Sequence, residues 1–483
     1  MNNFNIKRNL SMLADFYELT MSAGYFENNM KDTIAYFDMF FRKVPDNGGF
    51  AIMAGLEQVI EYINNLSFNE NDIDYLRSTN LFSEQFLEYL LNFTFTCDVW
   101  AVEEGTPIFP QEPIVTVKGP IIEAQLIETM LLLSINHQSL IATKAVRICT
   151  AARDKSVLEF GSRRAQGADA ALYGARASYI GGCDGTACVL AGKQLGIPVF
   201  GTMAHSWVQI FDTEYEAFKT YATQYPNDCT LLVDTYNTLN SGVPNAIKVF
   251  KEILEPLGCR PKGIRIDSGD ITYLSKKARI MLDEAGFEDC KICASNSLDE
   301  YLIRDMFLQN AKIDLFGIGE RLITASSQPV FGGVYKLVAI EKNGERIPKI
   351  KISENVGKIT IPEFKELYRL FDNETNRAIA DVIALNDEII DHTKPYEIFD
   401  PSYPWKRKTI TNFTPVKLRK KIFENGKLVY DGLSLDEIKI RCNVQVNLLW
   451  EEVRRFENPH NYYIDLSQKL YNVRETLLND NKI

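Results

Sequence analysis

The amino-acid sequence predicts an α/β protein whose central region is a parallel β-sheet. Short apolar runs with strand character recur from about residue 156, and from Pro198 onward their starts lie roughly 25 to 33 residues apart. Helical patterns such as 243–257 and 271–285 fill several of the gaps. Strands that alternate with helices in this way run parallel. On either side the alternation is lost, so we predict three regions, which cover residues 1–140, 141–340 and 341–483.

The first region mixes strands and helices. The aromatic run at 32–41 predicts a strand that ends at Arg42, and the spacing of apolar residues at 56–66 predicts a helix. Three prolines within 107–113 divide the next stretch into short extended pieces. A long apolar helix is expected at 123–140.

The last region is predicted to be a β-rich and helical addition. The dipeptides Asn343-Gly344 and Asn425-Gly426 are typical of two-residue hairpin turns. Residues 401–404 predict a loop, and 466–478 an amphipathic helix that closes the chain. We leave open whether part of this region packs with the first.

In the central region each of six strand-like runs ends in a polar or glycine-rich cluster. The runs cover residues 157–160, 198–201, 231–233, 263–266, 292–294 and 315–318. The clusters that follow them cover residues 161–164, 202–206, 234–236, 267–270, 295–297 and 319–321. In a parallel barrel the carboxyl ends of the strands share one face, which carries the active site. Helix capping would explain one or two clusters, but six favour a shared site.

Composition narrows the class of protein. Of 483 residues, 46% are hydrophobic and 24% are charged, as in ordinary globular proteins. The net charge of −11 argues against a nucleic-acid partner, which needs a basic surface. It leaves room for a small anion held by a few arginines.

The same reasoning predicts a cytoplasmic location. No apolar stretch follows Lys7 and Arg8, so we expect no signal peptide. The longest apolar run, near 130–133, is far shorter than the ~20 residues of a membrane span. Nine cysteines in mostly apolar contexts are expected to be reduced.

Several clusters contain groups suited to anion recognition. Arg163, Arg164 and Arg265 carry guanidinium forks that match carboxylate and phosphate geometry. For Arg265 beside Asp267, a structural ion pair and a recognition role are equally well supported by the sequence. Asp267 and Asp270 suit ribose hydroxyls or water-bound Mg²⁺, although helix capping is the favoured interpretation of Asp270 alone.

Glycines and one histidine add to this picture. The glycines of 316–321 resemble a phosphate loop but not a dinucleotide fingerprint, and 181–186 predicts a second flexible turn. His205 lies just past a strand-like run, in a polar cluster with Thr202 and Ser206, which favours general acid–base or nucleophilic chemistry. Of the other histidines, His137 is expected in the core, and His392 and His460 on the surface.

Two further patterns are interpreted as ordinary structure. Cys290 and Cys293 have CxxC spacing, but on a strand such positions face opposite sides, and no second pair follows at zinc spacing. The basic runs at 406–408 and 419–421 favour a solvated surface.

Taken together, the motifs resemble those of the nicotinate phosphoribosyltransferase family, whose members are type II phosphoribosyltransferases. The matching segments are residues 15–21, 159–167, 201–206, 265–270, 295–300, 317–319 and 332–337. They run in order from residue 11 to about 340, roughly two thirds of the chain. The resemblance implies an irregular α/β barrel with an N-terminal α/β domain and a C-terminal addition.

The resemblance also implies a reaction. Such enzymes join nicotinate to 5-phosphoribosyl 1-diphosphate, which gives nicotinate mononucleotide and diphosphate for NAD biosynthesis. ATP hydrolysis is coupled through a phosphohistidine, and His205 stands at that position. Mg²⁺ is expected to be held mainly by the substrate diphosphate, with no fixed protein ligands. The family works as a homodimer in which Tyr17 would stack on the pyridine ring in the neighbour's site.

Individual roles follow from the same resemblance. Arg265 would face the nicotinate ring and carboxylate, and Asp267 the ribose. Arg163 would lie by the phosphoribosyl phosphate or the nicotinate. The remaining expected substrate-binding residues are Thr202, Ser206, Ser295, Asn296, Gly319 and Glu320. Many relatives have threonine where this chain has Glu320, so we expect its backbone N–H to bind the 5-phosphate and its carboxylate to point away.

Three alternatives remain at this stage. The nicotinamide-using relative has a different histidine motif. A non-catalytic metabolite sensor on the same scaffold would be indicated by loss of His205, Arg265 or Asp267, all of which are present. A barrel of the aldolase type would need a lysine at a strand end, whereas Lys262, Lys291 and Lys312 precede strands.

Overall fold

The computed structural model describes residues 9–480. The chain divides into two compact units, one formed by residues 1–140 together with 330–483 and the other by residues 141–329. The first unit therefore combines both ends of the chain, whereas the second is one continuous segment. The helix Glu128–Ala152 begins in the first and ends in the second.

The first unit is built on a seven-stranded antiparallel sheet. Its strands follow the order Glu345–Pro348, Gly333–Lys342, Ile34–Phe41, Val115–Pro120, Asp98–Val102, Arg419–Glu424 and Lys427–Leu428. The strand predicted at 32–41 is confirmed as Ile34–Phe41, and all of its residues after Ile34 are buried. It pairs with Gly333–Lys342 on one side and Val115–Pro120 on the other.

A second, four-stranded sheet belongs to the C-terminal part of this unit. Its order is Phe413–Lys417, Lys365–Asp372, Ala378–Leu385 and Ile464–Leu466. Two strand pairs complete the unit, Tyr396–Phe399 with Arg407–Ile410 and Ala51–Ile52 with Pro107–Ile108. The two predicted hairpin turns are confirmed: Asn343, Gly344, Asn425 and Gly426 all have positive φ, as this turn type requires.

Helices cover the sheets of the first unit. They are Phe16–Glu27, Leu56–Asn65, Glu70–Ser78, Glu84–Leu91, Ile121–Gln125, Leu435–Asn447 and Gln468–Asp480, with 3₁₀ turns Pro45–Asn47 and Val356–Lys358. The helix expected at 123–140 is instead interrupted after Gln125 and continues from Glu128 to Ala152. Residues 141–152 contain no glycine or proline, so nothing in them ends a helix at Leu140.

The second unit contains a six-stranded parallel sheet. Its order is Gly185–Thr186, Ser156–Glu159, Leu315–Ile318, Lys291–Asn296, Gly263–Ile266 and Thr230–Leu232. This confirms the parallel α/β prediction and five of the six strand-like runs. The run at 198–201 is not a strand, because its partner Gly185–Thr186 has only two residues and Val199 makes a single bridge to Thr186.

Helices fill the crossovers of this sheet. They are Ala168–Ile180, Val189–Leu195, His205–Gln209, Glu214–Gln224, Val243–Val249, Ile271–Glu284, Glu300–Leu308 and Glu320–Ile323. Shorter helical pieces are Ser162–Arg164, Thr238–Gly242, Phe250–Leu254 and Glu255–Leu257. Asp270 caps Ile271–Glu284 by accepting a hydrogen bond from the Tyr273 N–H at 2.9 Å, which confirms the capping interpretation. No helix within residues 9–480 has the length and apolar character needed to cross a bilayer.

Candidate active site

Polar residues from three of the predicted clusters of the second unit meet around Arg265. This residue lies on Gly263–Ile266 between two fully buried isoleucines, so strand alternation directs its side chain to the opposite face. Its guanidinium donates from Nε to Ser295 Oγ at 2.7 Å, from Nη1 to Thr202 Oγ1 at 3.0 Å and from Nη2 to Asp267 Oδ1 at 2.9 Å. Three of its five N–H groups are thus used to fix its position.

Asp267 completes this arrangement. Its Oδ1 also accepts a hydrogen bond from Ser295 Oγ at 2.5 Å. Burial alone would raise the pKa of Asp267, but the Ser295 hydrogen bond and the charge of Arg265 outweigh burial and lower that pKa. The carboxylate is therefore ionised at neutral pH. Arg265 and Asp267 remain 15% and 28% exposed, so a ligand can reach both.

Asp234 also lines this site, although the sequence pattern predicts only its polar cluster, 234–236, and not a site role for this residue. Its Oδ2 accepts from the Asp267 N–H at 2.9 Å and from Ser268 Oγ at 2.6 Å. Its Oδ1 is buried and makes no hydrogen bond within the described part of the chain. The available signal was its position directly after a strand, two residues beyond Leu232.

His205 begins the short helix His205–Gln209. Its Nδ1 lies 3.1 Å from Thr235 Oγ1, which fixes the imidazole orientation. A positive charge at this position would add to the lowering of the Asp267 pKa, to which the Ser295 hydrogen bond and Arg265 contribute more. Ser206 follows His205 with an exposed side chain. Thr235, like Asp234, lies in a predicted polar cluster but is not itself a predicted site residue.

The loop after Ser156–Glu159 presents Arg163 and Arg164 on the 3₁₀ turn Ser162–Arg164. Buried Glu159 holds this loop by accepting hydrogen bonds from the Gly161 N–H and from Thr186 Oγ1. Arg163 and Arg164 are both exposed. They therefore stand at the surface of the unit, where anions can reach them.

Glu320 forms an ion pair with Arg164, in which Oε2 and Nε are 3.8 Å apart. It starts the short helix Glu320–Ile323, with Gly319 as the preceding residue. A Cβ at Gly319 would lie 3.3 Å from the Phe160 carbonyl oxygen, so the backbone is closely packed there. The Glu320 carboxylate is thus directed to a guanidinium, whereas its N–H belongs to the first turn of the helix.

Asn296 occupies an unusual backbone position at the end of Lys291–Asn296. Its φ is +141°, a conformation that side-chain-bearing residues rarely adopt. Its Oδ1 accepts from the Ser297 N–H at 2.6 Å, which stabilises the turn. Strain of this kind is frequent at ligand sites.

Tyr17 belongs to the first unit, on helix Phe16–Glu27, and is 43% exposed. Burial and the charge of Glu128 raise its pKa, so the phenol stays protonated. Of the predicted site residues, the second unit brings together Arg265, Asp267, Ser295 and Thr202 by direct hydrogen bonds.

No group of three or more metal-ligating side chains is found among residues 9–480. Burial raises the pKa of both Cys290 and Cys293 to about 12, so these thiols are protonated and poor ligands. The carboxylates of Asp234 and Asp267, two hard oxygen donors at one strand-end face, have the chemistry that suits hydrated Mg²⁺.

Comparisons with known proteins agree with the motif pattern. Residues 12–136, 156–376 and 364–474 match the nicotinate phosphoribosyltransferase (NAPRTase) N-terminal domain, family and C-terminal domain. The nicotinate phosphoribosyltransferase of Bacillus subtilis is 45% identical over 95% of this chain and 93% of its own length. The Homo sapiens enzyme is 30% identical over 95% of each chain.

The fold comparison gives the same result. The crystal structure of human nicotinic acid phosphoribosyltransferase aligns with a TM-score of 0.86 at 29% identity, covering 96% of this chain and 99% of that chain. The resemblance in motifs is thus confirmed over nearly the whole length. This chain belongs to the nicotinate phosphoribosyltransferase family.

Proposed function

We propose that the protein is a nicotinate phosphoribosyltransferase of NAD biosynthesis, which joins nicotinate to 5-phosphoribosyl 1-diphosphate and releases diphosphate. One observation carries this: Arg265 is fixed by three neighbours yet keeps two N–H groups for a ligand. A guanidinium with two such groups matches a carboxylate, which nicotinate has and nicotinamide lacks.

The remaining residues suit the charges of this reaction. The leaving diphosphate gains negative charge while the anomeric carbon becomes cation-like, so positioning and electrostatics supply most of the rate. Asp267, ionised and partly exposed, would hold ribose hydroxyls. Arg163 and the N–H groups at Gly319 and Glu320 would hold phosphate. Mg²⁺, bound mainly to the substrate diphosphate, would neutralise its charge, with Asp234 and Asp267 contacting the ion through water.

We further propose ATP coupling, which would make the enzyme a ligase by class. His205 would accept the terminal phosphoryl group of ATP, releasing ADP, and water would later remove that group as inorganic phosphate. A phosphohistidine adds roughly −2 charge beside Arg265 and Asp267, enough to rearrange their hydrogen bonds. His205→Ala, assayed with and without ATP, should lose ATP stimulation of nicotinate turnover. Stimulation retained by that variant would refute this coupling.

Three structural expectations accompany this function. The parallel sheet of the second unit would form an irregular barrel, and two chains would form a homodimer in which Tyr17 completes the neighbour's site. We also propose a cytoplasmic location, to which nine free cysteines are suited. Sedimentation of the purified chain tests dimer formation. Mixed dimers of Tyr17→Ala and Arg265→Ala chains test the shared site, because such dimers would regain one active site.

The central test is release of diphosphate from 5-phosphoribosyl 1-diphosphate with nicotinate or nicotinamide. We expect release with nicotinate and at least about tenfold less with nicotinamide, because a neutral amide gains less from Arg265. Equal turnover of both would contradict the carboxylate assignment. No nicotinate-dependent release would favour a metabolite sensor.

A further inference from the structure

The first unit contains a cavity of about 750 Å³ that the proposed reaction does not use. All residues that line it belong to the first unit, mostly to its C-terminal part. Half-buried Ile359 and Ile361, together with Ile398 and Leu466, supply an apolar wall. The volume falls within the range of pockets that hold cofactor-sized molecules, about 300–1,000 Å³.

One acid in this cavity lacks a protein partner. Asp465, on the strand Ile464–Leu466, lines the cavity and is only 3% exposed. No residue between 9 and 480 donates a hydrogen bond to its carboxylate. Burial, with the charge of Asp400, raises its pKa to about 7. Its carboxylate oxygens keep access to the cavity, so their hydrogen-bond donors are expected to come from whatever fills the cavity.

The lining of the cavity also carries cations. Lys406, Arg407, Lys408 and Arg474 line it, against the two acids Asp400 and Asp465. The Nζ of Lys408 lies 5.8 Å from the Tyr463 ring centroid, and that of Lys406 lies 4.3 Å from the Tyr403 ring centroid. Neither lysine has a carboxylate within ion-pair distance in the described part of the chain. Their charge is therefore available to an anion.

Arg407 and Arg474 have more fixed roles. Arg407 is held by Glu397 and by the Pro404 carbonyl oxygen at 3.0 Å, and it stacks on Phe399. Arg474 is paired with Glu475, with 3.6 Å between Nη1 and Oε1. The two arginines thus shape the cationic part of the lining, and the lysines supply its free charge.

We propose that this cavity is a binding site for a nucleotide. Its phosphate would bind Lys408 and Lys406, its ribose hydroxyls would donate to Asp465, and its base would lie on the apolar wall. A free phosphate would satisfy the lysines and leave Asp465 unpaired. A ligand that joins a phosphate, hydroxyl donors and a flat apolar group satisfies all three parts of the cavity.

The test is calorimetric titration of the full chain at pH 8 with adenosine monophosphate, ribose 5-phosphate or inorganic phosphate. Lys408→Glu should weaken adenosine monophosphate binding by about tenfold or more, because attraction becomes repulsion. Asp465→Asn should weaken it about fivefold, since charge-assisted hydrogen bonds are roughly twice as strong as neutral ones. Lys420→Glu, an exposed lysine outside the cavity, is the matched control and should change nothing, as should His205→Ala.

Several results would overturn the proposal. One is the absence of adenosine monophosphate binding up to about 5 mM, a concentration well beyond ordinary site affinities. Another is adenosine monophosphate binding that His205→Ala abolishes and the cavity variants leave intact. Ribose 5-phosphate binding that is as tight as nucleotide binding and that the cavity variants weaken would also refute it, because the base would contribute nothing. Thermal melting of each variant shows whether it is folded, and Asp465→Asn, which preserves side-chain size, keeps the test decisive if Lys408→Glu does not fold.

Discussion

Two arginine–aspartate pairs in this chain have the same chemistry in different surroundings. In the second unit, Arg265 and Asp267 are 15% and 28% exposed, with 2.9 Å between Nη2 and Oδ1. In the first unit, Arg369 and Asp381 are 1% and 0% exposed, with 2.6 Å between Nη2 and Oδ2 and 2.8 Å between Nε and Oδ1.

The buried pair is enclosed by further partners. Arg369 donates to the Pro107 carbonyl oxygen at 2.9 Å, and the Tyr462 hydroxyl donates to Asp381 at 2.9 Å. Burial and the charge of Asp381 raise the pKa of neighbouring Glu112 well above its usual range. The pair in the second unit instead has access to ligands. Residue type alone therefore does not separate a structural ion pair from a recognition pair; burial does.

The largest expected effect is on activity. Arg265→Ala should lower kcat/KM for nicotinate by about 10³-fold or more, equivalent to about 4 kcal/mol, and change the melting temperature little. Arg260→Ala removes an arginine paired with Asp289 on the surface and is the control. A similar loss of activity in both variants, or unfolding of Arg265→Ala, would make the Arg265 pair structural.

Arg369→Met should have the reverse effect of Arg265→Ala: a loss of stability with activity unchanged. Removing one partner leaves Asp381 as an uncompensated buried charge, so the free energy of unfolding should fall by about 3–5 kcal/mol. Urea denaturation measures this, and kcat/KM of the folded protein should be unchanged. Arg369→Met combined with Asp381→Leu should recover part of the loss. An active-site defect without destabilisation would contradict the comparison.

Two aspartates sharpen the comparison through pH. Because its pKa is lowered in the folded protein, the Asp267 carboxylate stabilises the fold at pH values above 3.8, its ordinary pKa. This contribution disappears as pH falls through the folded-state pKa. The contribution of Asp465 to stability has the opposite sign. Because its pKa is raised to about 7, its ionisation opposes folding increasingly between about pH 4 and 7.

Asp465→Asn should accordingly stabilise the protein at pH 8 by up to about 4 kcal/mol and have no effect below pH ~4. Melting temperatures across this pH range measure the difference, with exposed Asp212→Asn as the control. A difference that does not vary with pH would show that the Asp465 carboxyl is not the titrating group.

The smallest effect is expected at the exposed pair. Arg164 and Glu320 are 60% and 49% exposed, and such pairs contribute about 0–1 kcal/mol. Glu320→Gln should leave stability nearly unchanged and lower the KM for 5-phosphoribosyl 1-diphosphate about two- to threefold, since a negative charge near phosphate is removed. Glu288→Gln, also exposed, is the control, and a raised KM for Glu320→Gln alone would contradict this reasoning.

The sequence predicts most of the second unit because each parallel strand is short, apolar and followed by a polar cluster. It fails where pairing depends on a partner, as at 198–201, whose neighbour has two residues. Arg265, Asp267, Thr202 and Ser295 are predicted to lie together, and they do. The site role of Asp234 is not predicted, because an aspartate after a strand is equally typical of a helix cap and of a ligand site.

The cavity of the first unit could not be predicted for a different reason. Its lining comes from segments between Pro110 and Arg474, and no local pattern reports which distant segments meet. The basic run at 406–408 by itself favours a solvated surface. Lys406 and Lys408 are indeed exposed, yet they also line the cavity.

The sheet that joins both ends of the chain has a consequence for synthesis on the ribosome. Ile34–Phe41 can pair early with Val115–Pro120, but its other neighbour, Gly333–Lys342, emerges about 300 residues later, a delay of roughly 15 to 60 s at common translation rates. The second unit is contiguous and fully synthesised within that interval. A nascent chain therefore carries an unpaired aromatic strand edge while its second unit is complete, which makes this edge the expected place for chaperone contact and aggregation.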